Sequence, residues 1–298
     1  NLKFGTLNLK KLIVLYDSNN ITIEGSTDLA FTEDVLERYK ALNWDTFVVE
    51  DGNNLEEISK AIEAAKNSLN PALIKVNTQI GYGSPMAGSE KTHGSPLGPE
   101  NIKETRKFFD MKDEDFYVDD EVKANFSQIV GSLKEKYNEA MNKENAYRKK
   151  YPDLYKAYMD SLEIHKDYEY IDEDFYKSFD KPMATRATSG KVLNHIVQNY
   201  NNIFGGSADL GPSNKSSLDG EEYFSKGNRA GRNLTFGVRE NAMGAITNGM
   251  LLHGGLRPYC ATFLVFSDYM KPTIRLASLM NIPNIYILTH DSIGVGED

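Results

Sequence analysis

The chain has 298 residues, enough for two domains, and its 40% apolar and 11% aromatic content is typical of a globular protein. A formal net charge of −9 argues against nucleic acid or an anionic membrane as the main partner. The single cysteine, Cys260, excludes an intrachain disulfide and fits a reducing compartment, which favours a cytoplasmic protein. The sequence has no apolar run of about 18 residues to span a membrane and no signal-peptide pattern at its start.

Apolar runs and amphipathic stretches alternate in the first part of the chain. The run at residues 12–16 predicts a strand buried on both faces, and further strands are expected at 44–49 and 72–77. Helical spacing separates them at 31–43 and 55–68. This order implies parallel strands joined by crossover helices, and therefore an α/β fold.

The next part is a glycine-rich loop followed by a polar region. A loop as long as 81–98 inside a compact domain is usually functional or disordered. Helices are expected at 99–109, 122–150 and 152–164, and charged residues and tyrosines dominate the last two. We interpret this polar region as a solvated connector between two domains.

Predicted helices and strands alternate again after Ala184. The predicted elements are, in order, helix 189–200, a strand that runs into a glycine turn at 204–210, strand 234–236, helix 240–253, strand 258–261, helix 266–280 and strand 284–289. The sequence starts close to one strand pattern and stops just after another, with no polar tail at either end. We therefore interpret it as an internal piece of a longer protein.

A carboxylate opens one of these helices, and three aromatic residues follow it further along the chain at every third position. Glu240 is the carboxylate, in the run Gly-Val-Arg-Glu-Asn-Ala-Met-Gly, and the aromatic residues are Phe263, Phe266 and Tyr269. Taken singly, the acid could complement the helix dipole, and the aromatic residues could be ordinary core packing. Together they suit a flat, basic heteroaromatic ring that needs a stacking face and an acid on one ring nitrogen.

A polar turn, Asp-Ser-Asn-Asn-Ile-Thr-Ile at residues 17–23, follows the first predicted strand. Ligands of open α/β sheets bind outside the carboxyl ends of the strands. An amide oxygen and a backbone carbonyl at that position suit a hard cation such as Mg²⁺. An Asx turn that closes the strand is the alternative interpretation.

Five groups of residues, in order along the chain, resemble the motifs of transketolases, which use thiamine diphosphate. They are the turn 17–23; Ile-Gly-Tyr-Gly-Ser and Thr-His-Gly-Ser-Pro-Leu-Gly within 80–98; Met-Ala-Thr-Arg-Ala-Thr-Ser at 183–189 with Gly-Gly-Ser-Ala-Asp-Leu-Gly-Pro-Ser-Asn at 205–214; the carboxylate with its aromatic residues; and Thr-His-Asp-Ser-Ile-Gly-Val-Gly-Glu-Asp at 289–298. Each motif is moderately specific, and five in the right order are strongly specific.

The resemblance implies how the thiamine cofactor would be held in the second half of the chain. Glu240 would bind the N1′ nitrogen of its aminopyrimidine and so activate it, and Asn241 stands where the family often has histidine. The aromatic residues Phe263, Phe266 and Tyr269 would form a wall for that ring. The residues expected near the thiazolium ring are Asp209 and Leu210.

The first half of the chain would hold the metal and the cofactor diphosphate. By the same resemblance, Asn19 and the carbonyl of Ile21 would bind Mg²⁺ or Ca²⁺. The Gly-Asp-Gly half of the family's metal motif is absent from this sequence. His93 would contact the diphosphate and the substrate and relay protons, and Ile80 belongs to the same cofactor-binding loop. Glu90 stands where the family often has a further histidine.

The resemblance also implies the residues that bind a sugar phosphate. Arg186 and Ser213 would hold its phosphate tail, since arginine makes bidentate contacts to phosphate. His290 would bind sugar hydroxyls, and Asp298 would recognise the hydroxyl at C2 of the sugar. Taken alone, Arg186 could equally be a surface ion-pair residue, and a histidine at a strand end is more often structural.

For the whole chain, the resemblance implies a parallel-sheet thiamine-diphosphate-binding fold. Residues 1–112 would be the C-terminal half of a diphosphate-binding domain, 113–180 the connector and 181–298 most of a pyrimidine-binding domain. The implied reaction is transfer of a two-carbon ketol unit from a ketose phosphate to an aldose phosphate, in the pentose phosphate pathway. The implied assembly is a cytoplasmic homodimer whose active sites combine the first domain of one subunit with the second domain of the other.

Two alternatives remain open at the level of sequence. One is a neighbouring thiamine enzyme, such as dihydroxyacetone synthase or 1-deoxyxylulose-5-phosphate synthase, of which the latter fits the 289–298 motif poorly. The other is a non-catalytic chain, either a truncated fragment or an interaction subunit. Because the metal aspartate is missing, we expect the isolated chain to turn over slowly or not at all.

Overall fold

The computed structural model describes residues 2–163 and 173–294 and divides the chain into two compact units, Asn1–Leu133 and Lys134–Asp298. Its strands are β1 Ile13–Ser18, β2 Ile21–Thr22, β3 Gly25–Ser26, β4 Asp45–Val49, β5 Ala72–Asn77, β6 Ile203–Ser207, β7 Arg257–Phe263 and β8 Ile285–Thr289. Its α-helices are α1 Leu2–Thr6, α2 Val35–Ala41, α3 Leu55–Lys66, α4 Pro99–Phe108, α5 Asp120–Lys150, α6 Pro152–Leu162, α7 Glu173–Lys177, α8 Thr185–Asn199, α9 Gly211–Asn214, α10 Glu240–His253 and α11 Lys271–Leu279. Within the described ranges, none of these helices combines the length and the apolar character needed to cross a bilayer.

The first unit contains a three-stranded parallel sheet in the order β1–β5–β4, as the alternation predicts. Helix α3 begins at Leu55 because the Asn54 side chain accepts hydrogen bonds from the next helical amides, at 3.1 Å each. It buries Ala61 and Ala65 against Val49 and Ile74 of the sheet. This small apolar core fixes the carboxyl ends of the strands, where the loops with the predicted site residues begin.

The prediction that the first strand is buried on both faces is wrong. β1 lies at an edge of the described sheet, and Leu15 is 51% exposed. Ile13 points to the same side of the strand and packs against the core near α3, but this core does not extend to Leu15. The apolar run therefore predicted the strand correctly, but it did not predict that one part of the strand is exposed to solvent.

The second unit contains another three-stranded parallel sheet, in the order β6–β7–β8. Helix α10 packs against β7 and against α11. Gly244 allows the close approach of the two helices, since a Cβ there would lie 2.3 Å from the Thr273 hydroxyl. Cys260 lies in this core, and burial raises the pKa of its thiol to about 12.

Residues 234–236 do not form the predicted strand. They run beside β6, and the amides of Leu234 and Phe236 donate to the carbonyls of Gly205 and Ser207 at 2.6 and 3.2 Å. The Gly205 amide of β6 in turn donates to the Arg232 carbonyl. Asn233 forms two isolated bridges, to Gly205 and to Tyr223, but no regular ladder continues from them, so this segment is extended but not a strand.

Three helices differ from their predicted ranges. α2 begins at Val35 rather than near residue 31, because the Asp34 carboxylate caps it. α8 begins at Thr185, a turn earlier than predicted. The predicted helix 266–280 is a 3₁₀ helix, Leu264–Tyr269, followed by α11. The predicted helix 152–164 ends at Leu162, and residue 164 lies outside the described residues.

One buried hydroxyl in the second unit gives a test of core energetics. Thr262 has no exposed surface, and its Oγ1 atom has no hydrogen-bond partner among the described residues. Thr262→Val keeps the side-chain shape and removes the unpaired hydroxyl, so we expect the free energy of unfolding in urea to rise by about 1 kcal/mol.

Thr273→Val is the matched control for this substitution. The Thr273 hydroxyl is also buried but donates to the Met270 carbonyl at 2.8 Å. Its loss should lower the free energy of unfolding by about 1 kcal/mol. Equal destabilisation by both variants would contradict the assignment of an unpaired hydroxyl to Thr262.

Candidate active site

The candidate site of the second unit lies at the carboxyl ends of its parallel strands. Because β6, β7 and β8 run in the same direction, their last residues are at the same edge of the sheet. Asp209 closely follows β6, Phe263 ends β7 and His290 follows β8. Residues that are far apart in sequence are therefore brought to one edge.

The three predicted aromatic residues form a row. The ring centroids of Phe263 and Phe266 are 5.8 Å apart with planes inclined by 13°, and those of Phe266 and Tyr269 are 6.2 Å apart at 26°. The row exists because this segment is a 3₁₀ helix, in which side chains three residues apart lie above one another. Phe263 is buried and Tyr269 is 64% exposed, so the row runs from the core to the surface.

His290 joins the inner end of this row. Its ring centroid is 3.8 Å from that of Phe263, with planes at 35°. Its Nε2 atom is 3.1 Å from Nη1 of Arg186, and its Nδ1 atom is 3.0 Å from the Thr289 hydroxyl. The structure thus brings together two residues predicted to bind a substrate with the first residue of the aromatic row.

Two residues at this edge adopt left-handed backbone conformations. Asp209 has φ 66° and His290 has φ 56°. Such values are uncommon for residues other than glycine and cost free energy, more for histidine than for aspartate. Non-glycine residues held in this way often occur at functional sites, where the surrounding structure fixes them.

Glu240 is a mostly buried residue whose carboxylate has no partner among the described residues. It is the first residue of α10 and is 8% exposed. No described residue forms a hydrogen bond or an ion pair with its side chain. α10 also packs against the 3₁₀ helix that carries the aromatic row. A carboxylate at this edge with no partner among the described residues is available to bind a basic group of a ligand.

The remaining predicted residues of this unit lie on α8 and just after β6. Arg186 is in the first turn of α8 and Ser213 is on α9, and the two helices are in contact. Both side chains are exposed. The Leu210 amide donates to the buried Ser207 hydroxyl at 3.0 Å, which fixes the turn after Asp209. Asp298 lies outside the described residues.

The predicted residues of the first unit follow two neighbouring strands. Asn19 comes directly after β1 and Ile80 after β5, and the Ser18 carbonyl accepts from the Thr78 amide at 3.3 Å. The Asn19 side-chain oxygen accepts from the Ile21 amide at 3.0 Å, which is the Asx turn considered as an alternative. A carboxamide oxygen has a second lone pair, so this turn is compatible with a metal ligand.

The glycine-rich loop of the first unit has a defined local structure. The Gly88 amide donates to the Ile80 carbonyl at 2.8 Å, and a short 3₁₀ helix, Glu90–Thr92, precedes His93. His93 is exposed. In the part of the chain that the structure describes, no cluster of three or more acidic, histidine or cysteine side chains could hold a metal ion.

One residue of the candidate site was not found from the sequence. Thr289 is the last residue of β8, is 4% exposed and contacts Nδ1 of His290. The only sequence signal is a hydroxyl residue at the end of a strand directly before a histidine. That signal is weak because many strands end in threonine.

Comparisons with known proteins give consistent matches over the whole chain. Residues 3–166 match the family model described as "Transketolase, thiamine diphosphate binding domain", and residues 181–298 match "Transketolase, pyrimidine binding domain". A curated transketolase of Halalkalibacterium halodurans is 47% identical over 299 residues, covering 99% of this chain and 44% of the relative. The chain therefore spans less than half of that relative's length.

Solved structures lead to the same result for the fold. A transketolase from Leishmania mexicana has a TM-score of 0.91 and 36% identity, covering 100% of this chain and 45% of that one. A transketolase from Pichia stipitis, in complex with sedoheptulose 7-phosphate, has a TM-score of 0.90 at 36% identity, with the same coverage of both chains. These matches confirm the predicted α/β fold class with its diphosphate-binding and pyrimidine-binding parts.

Proposed function

Because this chain belongs to the transketolase family, we propose that it serves the thiamine-diphosphate-dependent transfer of a two-carbon ketol unit from a ketose phosphate to an aldose phosphate. The observation that carries the proposal is Glu240, a mostly buried residue whose carboxylate has no partner among the described residues and whose helix packs against the aromatic row. Thiamine diphosphate supplies the nucleophilic carbon and the electron sink of such a reaction. These residues fit a flat ring with a basic nitrogen.

The residues of the second unit bind and orient the cofactor ring. Glu240 accepts a hydrogen bond from the N1′ position of the aminopyrimidine and holds a proton there. Phe263, Phe266 and Tyr269 supply the stacking surface and exclude water from one face of the ring. In the proposed arrangement, Asp209 and Leu210 lie near the thiazolium ring.

A second group of residues binds the substrate. Arg186 and Ser213 contact the phosphate tail, which the guanidinium can bind through two parallel hydrogen bonds. His290 and Asp298 bind hydroxyl groups, and His93 contacts both substrate and cofactor and moves protons. The relative from Pichia stipitis with sedoheptulose 7-phosphate supports sugar phosphates as the substrate class.

The first unit contributes the diphosphate and metal site in this proposal. Asn19 and the carbonyl of Ile21 are ligands of Mg²⁺ or Ca²⁺, and Ile80 contacts the cofactor. The proposed domain limits are 1–112, 113–180 and 181–298. We further propose a cytoplasmic homodimer that acts in the pentose phosphate pathway, with each site built from the first domain of one subunit and the second domain of the other.

The length of the chain matters for how the proposal can be tested. The chain covers 44% of the length of the Halalkalibacterium halodurans relative. We therefore expect the 298-residue chain alone to show little turnover even if the proposed function is right. A test of the proposal needs these residues within a chain of full family length.

A chimera provides that test. Residues 1–298 would replace the aligned segment of the Halalkalibacterium halodurans relative, and transfer from xylulose 5-phosphate to ribose 5-phosphate would be measured. We expect kcat/KM within about tenfold of the parent enzyme. Formaldehyde as acceptor, and pyruvate with glyceraldehyde 3-phosphate, test the two neighbouring thiamine enzymes. A folded chimera with only background transfer, or one that prefers either alternative reaction, would overturn the proposal.

A further inference from the structure

The second unit contains a further cavity of about 630 Å³, and none of the residues that line it belongs to the candidate active site. One wall is a face of α8, on which the lining residues follow helical spacing. The other wall is the segment 211–219, which begins with α9, and Phe175 of α7 also lines the cavity. Cavities of roughly 300–1,000 Å³ are typical of small-molecule sites. The size of this cavity is therefore compatible with a small metabolite.

Three charged side chains line the cavity, and none of them forms an ion pair with a described residue. They are Lys191 on α8 and Lys215 and Asp219 on the other wall. Two ammonium groups and one carboxylate give the cavity a net positive charge, in a chain whose formal net charge is −9. A cavity of this sign favours an anionic ligand.

Two of the side chains on the α8 wall are held in place by the chain itself. Lys191 Nζ donates to the Ser178 carbonyl at 3.1 Å and lies 4.4 Å from the ring centroid of Phe179. An ammonium has three donors, so two remain for a ligand. The His195 ring stacks on Phe175 with centroids 3.7 Å apart, and its nitrogens have no hydrogen-bond partner among the described residues. Because these side chains are already ordered, binding costs less conformational entropy.

The two walls are tied to each other. Asn194 of α8 donates to the Ser217 carbonyl at 3.1 Å, and its side-chain oxygen accepts from the Asp219 amide at 2.7 Å. α8 also lies very close to Lys215, since a Cβ at Gly190 would be 2.6 Å from the Lys215 carbonyl oxygen. These contacts fix the distance between the lysine on α8 and the charged residues of the other wall.

We propose that this cavity binds a small organic phosphate that carries hydroxyl groups, at a site separate from the proposed active site. The phosphate contacts Lys191 and Lys215, which have only donors, and the His195 imidazole offers one N–H in either tautomer. The Asp219 carboxylate has only acceptors and therefore takes a hydroxyl of the ligand. Nucleotides and sugar phosphates share this chemistry. The proposal does not depend on the ketol-transfer function.

Isothermal titration calorimetry on the 298-residue chain tests the site, with ADP, ribose 5-phosphate and adenosine as probes. We expect at least one of the two phosphates to bind with a Kd of about 1 mM or below, and adenosine, which lacks phosphate, not to bind. The tighter of the two phosphates identifies the source of the ligand. Arg186→Ala should keep this binding, because Arg186 does not line the cavity.

Two substitutions remove the cations of the cavity. Lys215→Gly and Lys191→Gln should each raise the Kd of the bound phosphate by about tenfold or more. Lys215 has φ 55°, a conformation that favours glycine, so Lys215→Gly does not threaten the fold. The control is Lys226→Ala, an exposed lysine of the same unit outside the cavity, which should leave the Kd unchanged. The imidazole NMR signals of His195, assigned through His195→Gln, should move on titration, and those of His253 should not.

Three results would overturn the inference. The first is that neither phosphate binds saturably, and the second is a Kd unchanged in both folded variants, Lys215→Gly and Lys191→Gln. The third is binding that is lost only in Arg186→Ala, which would assign the phosphate to the proposed substrate site. An inactive chimera, in contrast, would overturn the proposed reaction and leave the calorimetric result for this cavity unaffected.

Discussion

Glu240→Gln in the chimera is expected to lower kcat by about a thousandfold or more, because the amide cannot hold a proton on the cofactor ring as a carboxylate does. Stability should respond in the opposite direction. The Glu240 side chain is mostly buried with no partner among the described residues, so a neutral side chain of the same size removes a partly desolvated charge. We therefore expect thermal unfolding of the variant at an equal or higher temperature.

The control is Glu139→Gln, an exposed carboxylate on α5. Both kcat and the unfolding temperature should be unchanged in that variant. Near-normal turnover by folded Glu240→Gln would contradict the assignment of Glu240 as the activating acid. A large loss of stability would contradict the conclusion that its carboxylate is unpaired in the folded chain.

Gly206→Ala is expected to have a large effect on folding. A Cβ at this position would lie 2.0 Å from the Leu234 carbonyl oxygen and 2.9 Å from its carbon, and backbone atoms cannot move away as side-chain atoms can. We expect a loss of at least about 3 kcal/mol in the free energy of unfolding, measured in urea. That is a large part of the total stability of a typical domain, about 5–15 kcal/mol.

Gly249→Ala is the matched control for this substitution. Gly249 is exposed within α10, and its added Cβ would have no neighbour within 4 Å. Alanine is favoured over glycine inside helices, so this variant should gain about 1 kcal/mol. If Gly206→Ala unfolds at the same urea concentration as the wild type, the close approach of residues 232–236 to β6 would be wrong.

The elements with clear boundary signals were predictable from the sequence. Helix Glu240–His253 has its predicted ends, and Gly254 after it adopts φ 84° and ψ 173°, a backbone conformation that favours glycine. Strand Ala72–Asn77 also has its predicted ends. The start of α2 was missed although Asp34, followed three residues later by Glu37, is a recognisable capping pattern.

The sequence predicts residues for the candidate site but not how they lie relative to one another. The spacing of Phe263, Phe266 and Tyr269 indicates a row in a helix of any type, and only the structure identifies the 3₁₀ helix that aligns them. The contact between Arg186 and His290 joins residues 104 positions apart. No local sequence pattern predicts such a contact, since it depends on how α8 packs beside the ends of the strands.

The backbone conformation of His290 is unfavourable for folding, although the proposed function requires this residue. At φ 56°, glycine or asparagine would relieve the crowding between Cβ and the carbonyl, so laboratory evolution for heat tolerance alone would favour either residue there. The same replacement removes the imidazole and with it the acceptor beside Arg186. Thermostabilised descendants of this chain would therefore need His290 held constant during selection, because one gain in robustness lies at a position that the proposed chemistry requires.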